Sequence, residues 1–372
     1  MSSTFVPKVP NDGRTYVLNG RGETVWWDTN EGVSPPDQVQ PPVQQPQPRP
    51  ESVKKYLVIM AGQSNCQSSN EGPLTAEERV ANPKIKALHR NKLTTFKGVP
   101  IVNYKVLPNG SIGPAVDPLQ HHGISHPDSV GFGRPFAEEF LKDHPNSELI
   151  IVPAALGGTG FAPSSGYIIS WDKTVTWAHK NLYKEMISDC NDILRSDPSI
   201  EVLGMLWHQG ESDTHNPQYQ VKFDKLIRDT RADLLDGRGA NTPVVCGTML
   251  KSWKDKNPGS KYVDQVHKGI RWRFNDENTD CVWLDWLTLP PANDGIEVHF
   301  NAAAQRLMGY AYYDVYKKLK HAVKTNGAES SGSRGVHMST DSNEPTMTFE
   351  EACRTLAEKE GSAPTSSLPQ TR

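Results

Sequence analysis

Five short apolar runs recur along the middle of the chain, and each has the length and β-branched content of a buried strand. They are Lys55–Ala61, Glu148–Ala155, Glu201–Trp207, Pro243–Met249 and Cys281–Trp286. Segments with the 3.6-residue apolar period of helices lie between them: Arg134–Lys142, Thr176–Arg195, Gln218–Leu235, Lys261–Phe274 and Ala302–Lys320. This alternation predicts an α/β fold, a three-layer α/β/α sandwich around a parallel sheet.

The two ends of the chain lack this pattern. Residues 1–34 hold two short strand-like runs around an Asn-Gly-rich turn, which predicts a small separate N-terminal segment. Residues 35–51 are rich in Pro and Gln and predict an extended linker. Residues 52–322 carry the alternating pattern, and the polar residues 323–372 predict a largely disordered tail.

Composition narrows the class of protein. Apolar residues make up 36 % of the 372 residues, and the net charge is −3, which gives no electrostatic case for binding nucleic acid or an anionic membrane. No apolar run approaches the roughly 18 residues of a membrane helix. The N-terminus shows no apolar h-region, so we expect no signal peptide and synthesis in the cytoplasm. The five scattered cysteines predict free thiols.

Polar clusters follow the first two of these strands in chain order. Ser64 follows a Gly on the turn that leaves the first strand, where either an exposed nucleophile or a turn serine would lie. The sequence Gly157-Gly158-Thr159-Gly160 follows the second strand, and paired glycines allow the backbone to approach a ligand. Since ligands bind at the carboxyl ends of such strands, both turns are candidates for a site.

Two further clusters complete the pattern. Trp207–Asp213 follows the third strand, and there the Gln209 amide could donate to an oxyanion while Glu211 and Asp213 orient their neighbours. Past the last strand, His299 lies on a loop before a predicted helix. Carboxylates precede it by two and five residues, at Glu297 and Asp294. This order fits a serine, histidine and acid set, in which the histidine takes the serine proton.

Together, GQSN, GGT, WHQGESD and the histidine loop resemble the SGNH-type carbohydrate esterases, in particular sialate O-acetylesterase-like proteins, over residues 55–320. The resemblance implies an SGNH hydrolase-like fold, Ser64 as nucleophile and His299 as general base. It also implies an oxyanion hole from the N–H groups of Ser64 and Gly158 and the Gln209 side chain. No metal or organic cofactor is expected. Substrate contacts are expected from Gln63, Asn65, Gly157, Thr159, Glu211 and Trp171.

The acid partner of His299 stays open. The usual D-x-x-H spacing of the family is absent, because Ile296 stands three residues before His299. The acid is therefore Glu297, Asp294 or a backbone carbonyl that holds the imidazole. We favour Glu297, because alternate residues of an extended strand face the same side.

The expected reaction is hydrolysis of O-acetyl esters on a carbohydrate, either sialic acid or a bacterial surface polysaccharide. Two alternatives are a non-catalytic glycan-binding module on an esterase fold and a lipase or thioesterase. The N-terminal segment and its linker resemble those of a phage tail-spike enzyme. That resemblance implies docking on a virion tail or baseplate protein, for which a homotrimer would be suitable.

Overall fold

The computed structural model describes residues 15–18, 24–27, 52–90, 95–96, 99–100, 109–123, 126–162, 169–176, 178–293, 295 and 297–324. The chain divides into two compact units, Met1–Glu51 and Ser52–Arg372. In the first unit, strands β1 (Thr15–Leu18) and β2 (Thr24–Trp27) pair antiparallel, as the turn between them predicts. The predictions for the linker and for residues 325–372 lie outside the described residues.

A seven-stranded sheet forms the centre of the second unit. In chain order the strands are β3 (Lys54–Gly62), β4 (Ile85–Leu88), β5 (Thr95–Phe96), β6 (Val99–Pro100), β7 (Ile112–Pro114), β8 (Ser147–Pro153), β9 (Ile169–Ser170), β10 (Lys180–Asn181), β11 (Ile200–His208), β12 (Val244–Gly247) and β13 (Thr279–Val282). The sheet order is β13-β12-β11-β3-β8-β4-β7, while β5–β6 and β9–β10 form small pairs of their own. All five predicted strands are in the sheet.

The sheet differs from the prediction at one edge. Strand β7 pairs antiparallel with β4, whereas the neighbouring pairs from β4 to β13 are parallel. Both β4 and β7 have four residues or fewer, too few to show a strand pattern in the sequence.

Helices connect the strands. They are α1 (Gly133–Asp143), α2 (Leu182–Ser196), α3 (Tyr219–Asp233), α4 (Lys251–Lys256), α5 (Ser260–Lys268), α6 (Ile270–Phe274) and α7 (Ala302–Tyr316). Helix α2 begins later than predicted, because the Asn181 side chain accepts a hydrogen bond from the Lys184 N–H and caps it. The single helix predicted over 261–274 is two helices, which meet at Gly269.

The core lies on both faces of the sheet. Along β3, Tyr56, Val58 and Met60 pack into one apolar cluster with α1 and α7. The alternate residues Leu57, Ile59 and Ala61 pack into a second cluster with α2 and α3. Because successive strand residues point to opposite faces, one continuous apolar run supplies both layers. The predicted three-layer α/β/α sandwich is confirmed. Every helix in the described part of the chain is too short or too polar to span a membrane.

Asp117 is a buried carboxyl in this core. Its Oδ2 accepts a hydrogen bond from the Gly131 N–H at 3.2 Å, and its Oδ1 is enclosed without a partner among the described residues. Burial raises the pKa of Asp117 to about 7. A folded-state pKa above the unfolded value gives stability that is complete below about pH 4 and is lost as the pH rises through about 7.

We expect Asp117→Asn to stabilise the protein increasingly relative to wild type as the pH rises, because asparagine carries no charge to bury. The difference in free energy of unfolding should grow by about 2–3 kcal/mol between about pH 5 and about pH 8. Chemical denaturation at the two pH values measures it. A difference that is the same at both would contradict the assignment.

Candidate active site

Gly62, the last residue of β3, brings three strand ends together. Its φ is +144°, and a Cβ there would lie 2.0 Å from the His208 carbonyl oxygen, so only glycine fits. The Gln63 N–H donates to the His208 oxygen at 3.0 Å, and the Leu156 N–H donates to the Gly62 oxygen at 3.2 Å. The turn that carries Ser64 therefore lies beside the ends of both β8 and β11.

Ser64 lies at the edge of the glycine loop (residues 157–160). A Cβ on Gly157 would be 3.5 Å from the Ser64 Cβ, and the Gly157 N–H donates to the Gln67 Oε1 at 2.7 Å. Gly158 follows with φ +70°, and apart from its chain neighbours no heavy atom of the protein lies within 4 Å of its Cβ position. The open side of the loop is thus at Gly158, the predicted oxyanion donor. Ser64 itself is 7 % exposed, so it is nearly buried but retains some contact with solvent.

Asn65 joins the Ser64 turn to the histidine loop (residues 291–300). Its Nδ2 donates to the Val298 oxygen at 3.1 Å, and its Oδ1 accepts from the Phe300 N–H at 3.0 Å. These two residues flank His299. The Nδ2 also donates to the Glu211 Oε1 at 2.7 Å. One fully buried amide therefore positions the predicted base beside the predicted nucleophile, and both of its N–H groups are used within the protein.

The histidine loop is held at its first residues as well. The Ala292 N–H donates to the His299 oxygen at 2.9 Å, which closes the loop on itself. The Asn293 N–H donates to the Glu71 Oε1 at 2.9 Å. His299 is 8 % exposed, so its imidazole is largely shielded by the protein.

Helix α7 also reaches the nucleophile turn. It begins at Ala302, directly after the histidine loop, where the Asn301 side chain accepts from the Ala304 N–H and caps it. One turn further on, the Gln305 Nε2 donates to the Asn65 carbonyl oxygen at 2.9 Å, across 240 positions of sequence.

Glu211 is the buried carboxylate of the site. Its Oε2 is enclosed and has no hydrogen-bond partner among the described residues. Burial raises the pKa of Glu211, while the Asn65 hydrogen bond and the charge of His299 act to lower it. Glu211 and His299 are therefore close enough to interact electrostatically, and a Glu211 carboxylate would stabilise a protonated His299.

Glu297 is placed differently. Its side chain is 65 % exposed and forms an ion pair with Lys256 at the surface. The other carboxylate proposed from the sequence, Asp294, lies outside the described residues. Among the described carboxylates, the structure thus favours Glu211 over Glu297 as the acid partner of His299.

Gln209 is fully buried, and its amide hydrogens bind within the protein. The Nε2 lies 2.8 Å from the Asp213 Oδ2, 3.2 Å from the Gln63 Oε1 and 3.3 Å from the Thr159 oxygen. Two hydrogens thus face three acceptors. In this arrangement the side chain has no N–H left for an oxyanion, so its predicted role would require these bonds to break.

Comparison with known proteins identifies the family of this chain. A family model described as a carbohydrate esterase, sialic acid-specific acetylesterase, matches residues 54–318. The chain belongs to this family. The protein is accordingly a carbohydrate acetylesterase, as the resemblance implied. A search of curated proteins finds no match.

Two solved structures share the fold of the esterase. NanS is 21 % identical with a TM-score of 0.58, and the alignment covers 71 % of this chain and 97 % of NanS. A protein from Arabidopsis thaliana is 20 % identical with a TM-score of 0.52, over 71 % of this chain and 98 % of that protein. At these identities the likeness shows the fold alone, an α/β fold around a mostly parallel sheet.

Two expected substrate contacts of the esterase need correction. The Trp171 ring is 1 % exposed and packs edge-on against Trp207 with 5.1 Å between ring centroids, so it cannot stack on a sugar. The Trp171 Nε1 donates to the Thr159 Oγ1 at 3.2 Å, and that hydroxyl donates to the Leu156 oxygen at 2.6 Å. Thr159 and Trp171 therefore stabilise the glycine loop instead of binding substrate.

Sequence reasoning missed two residues that shape the site of the esterase. Gln67 holds the glycine loop, and Glu71 holds the histidine loop. The sequence signal for Gln67 was the run of amide side chains at positions 63, 65 and 67, since alternate amides on a turn can each hold a different loop. Among the described residues, no group of three His, Cys, Asp or Glu side chains is placed to hold a metal ion.

Replacing Asn65 with alanine should lower kcat about 10- to 100-fold and leave KM nearly unchanged, because a displaced base costs rate more than binding. The Phe300 N–H and the Glu211 carboxylate would lose a partner, so the free energy of unfolding should also fall by about 1–3 kcal/mol. Initial rates and thermal denaturation measure the two effects. Asn181→Ala, which removes a remote helix cap, is the control, and an unchanged kcat for Asn65→Ala would refute the positioning role.

Proposed function

We propose that the esterase removes O-acetyl groups from sialic acid or a bacterial surface polysaccharide, with Ser64 as its nucleophile. The observation that carries this proposal is the Asn65 amide, which joins the Ser64 turn to both sides of His299 and to Glu211. In this proposal the nucleophile, the base and the buried acid come from three distant parts of the chain, and the Asn65 contacts support their proximity. That is the arrangement on which acyl transfer through serine depends.

The first half of the reaction forms an acetyl-enzyme. His299 accepts the Ser64 hydroxyl proton as the Ser64 Oγ bonds to the acetyl carbonyl carbon. The buried Glu211 carboxylate stabilises the imidazolium that results. The N–H groups of Ser64 and Gly158 would bind the oxygen of the tetrahedral intermediate.

The intermediate then collapses. His299 donates its proton to the sugar oxygen, the bond between the carbonyl carbon and that oxygen breaks, and the sugar leaves with a free hydroxyl. Water repeats the sequence on the acetyl-enzyme, so that acetate leaves and Ser64 regains its proton. In this mechanism His299 accepts and then donates the proton in both halves of the reaction.

Acetate release from a panel of O-acetylated glycans tests the proposal. The panel contains acetylated sialic acid, bacterial capsule polysaccharide and xylan, and His299→Ala serves as the inactive control. Release from either of the first two by the wild type alone supports the proposal. No release from any glycan, or equal release by the control, would overturn it.

The lipase or thioesterase alternative has its own test. A series of 4-nitrophenyl esters from acetyl to octanoyl separates the classes, because only an enzyme with a long apolar groove gains from added methylenes, at about 0.8 kcal/mol for each one buried. The glycan-binding alternative is disfavoured by membership of an esterase family.

We also propose that residues 1–34 attach the esterase to a virion tail or baseplate protein. The β1–β2 pair lies in a compact unit of its own, and a Pro/Gln-rich segment follows it in the sequence. Co-sedimentation of the full chain and of a chain lacking residues 1–51 with purified virions tests attachment. Equal binding of both would refute it, and light scattering would show whether the assembly is a homotrimer.

A further inference from the structure

The side-chain amide of Gln63, next to the nucleophile, has a fixed orientation. Its Oε1 lies 3.1 Å from the Ser212 N–H, and a backbone N–H can only donate. The Gln209 Nε2 donates to the same oxygen at 3.2 Å. Two donors therefore hold the oxygen of Gln63 toward residues 209–212, so its nitrogen must point elsewhere.

The orientation of Gln209 is fixed in turn. Its Nε2 faces the Asp213 carboxylate at 2.8 Å and the Thr159 carbonyl oxygen at 3.3 Å, both of which accept. Asp213 is itself held, since its Oδ2 accepts the Phe161 N–H at 2.9 Å. A chain of hydrogen bonds thus runs from Asp213 through Gln209 to Gln63.

The Gln63 Nε2 is where this chain ends. It donates to none of the residues that the structure describes, although Gln63 is only 3 % exposed. The Gln63 Nε2 is not fully enclosed by the protein, in contrast to the Glu211 Oε2, so it retains contact with solvent. A nearly buried amide with two unused N–H groups next to Ser64 is arranged to bind an oxygen that arrives with the substrate.

We infer that the Gln63 side chain donates a hydrogen bond to the ester carbonyl oxygen as that oxygen becomes negative. This inference rests on the proposed serine mechanism and deepens it, because it transfers the side-chain oxyanion donor from Gln209 to Gln63. Gln209 is then a positioning residue that holds Gln63. A donor whose orientation is set before the reaction needs little reorganisation in the transition state.

Two variants remove the donor in different ways. Gln63→Glu keeps an oxygen for the Ser212 N–H and for Gln209 but has no N–H, and Gln63→Met is similar in length and uncharged. The matched control is Gln120→Glu, because the Gln120 Oε1 accepts from the Arg90 N–H at 2.7 Å in a comparable contact. The substrates are 4-nitrophenyl acetate and an O-acetylated glycan, with Ser64→Ala in parallel.

We expect both Gln63 variants to lower kcat about 100- to 1,000-fold on both substrates, with KM little changed. Gln63→Glu should be the slower, since its charge repels the oxyanion. Thermal denaturation should show folded proteins, and the pH–rate profile of Gln63→Met should keep its shape if His299 is undisturbed.

Two outcomes would overturn the inference. A loss confined to the glycan would make Gln63 a ligand of a sugar hydroxyl, because 4-nitrophenyl acetate has none. Wild-type rates for both variants would leave Gln63 without a role in the reaction. If Ser64→Ala retains full activity, the proposed serine mechanism fails instead, and the two failures are thereby distinguished.

Discussion

Ser64→Ala should hydrolyse 4-nitrophenyl acetate and acetylated glycans at least about 10⁴-fold more slowly than the wild type. Without the Ser64 oxygen no acetyl-enzyme can form, and the remaining donors can at most help water to attack directly. Little stability should be lost, because Ser64 lies on a turn and the change removes a single atom. Initial rates and thermal denaturation measure both quantities.

The control for this variant is Cys66→Ala. Cys66 lies two residues after Ser64, and a thiol is also able to attack an ester. Cys66 is fully buried, and burial raises the pKa of its thiol, so it stays protonated and unreactive. Its replacement should therefore leave the rate within a few fold of the wild type. Activity that survives in Ser64→Ala but disappears in Cys66→Ala would mean that the nucleophile is the thiol.

Glu211→Gln should lower kcat about 10²- to 10⁴-fold, whereas Glu297→Gln should change it by less than about twofold. Glutamine keeps an oxygen for the Asn65 Nδ2, so the histidine loop stays in place and only the charge beside His299 is removed. Glu297 is an exposed partner of Lys256, and such surface ion pairs contribute little.

The same pair of variants separates the alternatives for the acid. A large loss in Glu297→Gln with normal rates in Glu211→Gln would restore the expectation drawn from the sequence. Normal rates in both would leave Asp294 or a backbone carbonyl to hold the imidazole. Rates over a pH range should be compared, so that a shifted optimum is not mistaken for a lost acid.

The strands of the sheet could be predicted because each is a continuous apolar run that feeds both faces. Tyr56 and Leu57 pack into different clusters, yet both are apolar, and that continuity is readable in the sequence. The edge pair β4–β7 left no comparable trace. The break at Gly269 was visible only as one glycine in a helical pattern, where a glycine is often tolerated.

The site was predictable as a set of strand ends but not as a set of contacts. Glu211 stands 88 positions before His299, and nothing in their spacing links them. The preference for Glu297 assumes an extended strand, in which alternate residues face the same side, whereas the structure places Glu297 at the surface beside Lys256. Asn65 and Thr159 have the chemistry to bind a sugar, and only the folded chain shows that protein groups already use that chemistry.

The hydrogen bond from Gln305 to the Asn65 carbonyl oxygen has a consequence for synthesis of the enzyme. The nucleophile turn leaves the ribosome early, but its contact with α7 forms only after 240 further residues have been added. A nascent chain that ends before α7 lacks the helix that supports the nucleophile turn, and a chain that ends before residue 299 lacks the proposed base as well. We therefore expect ester hydrolysis to begin only after α7 has been synthesised and has docked.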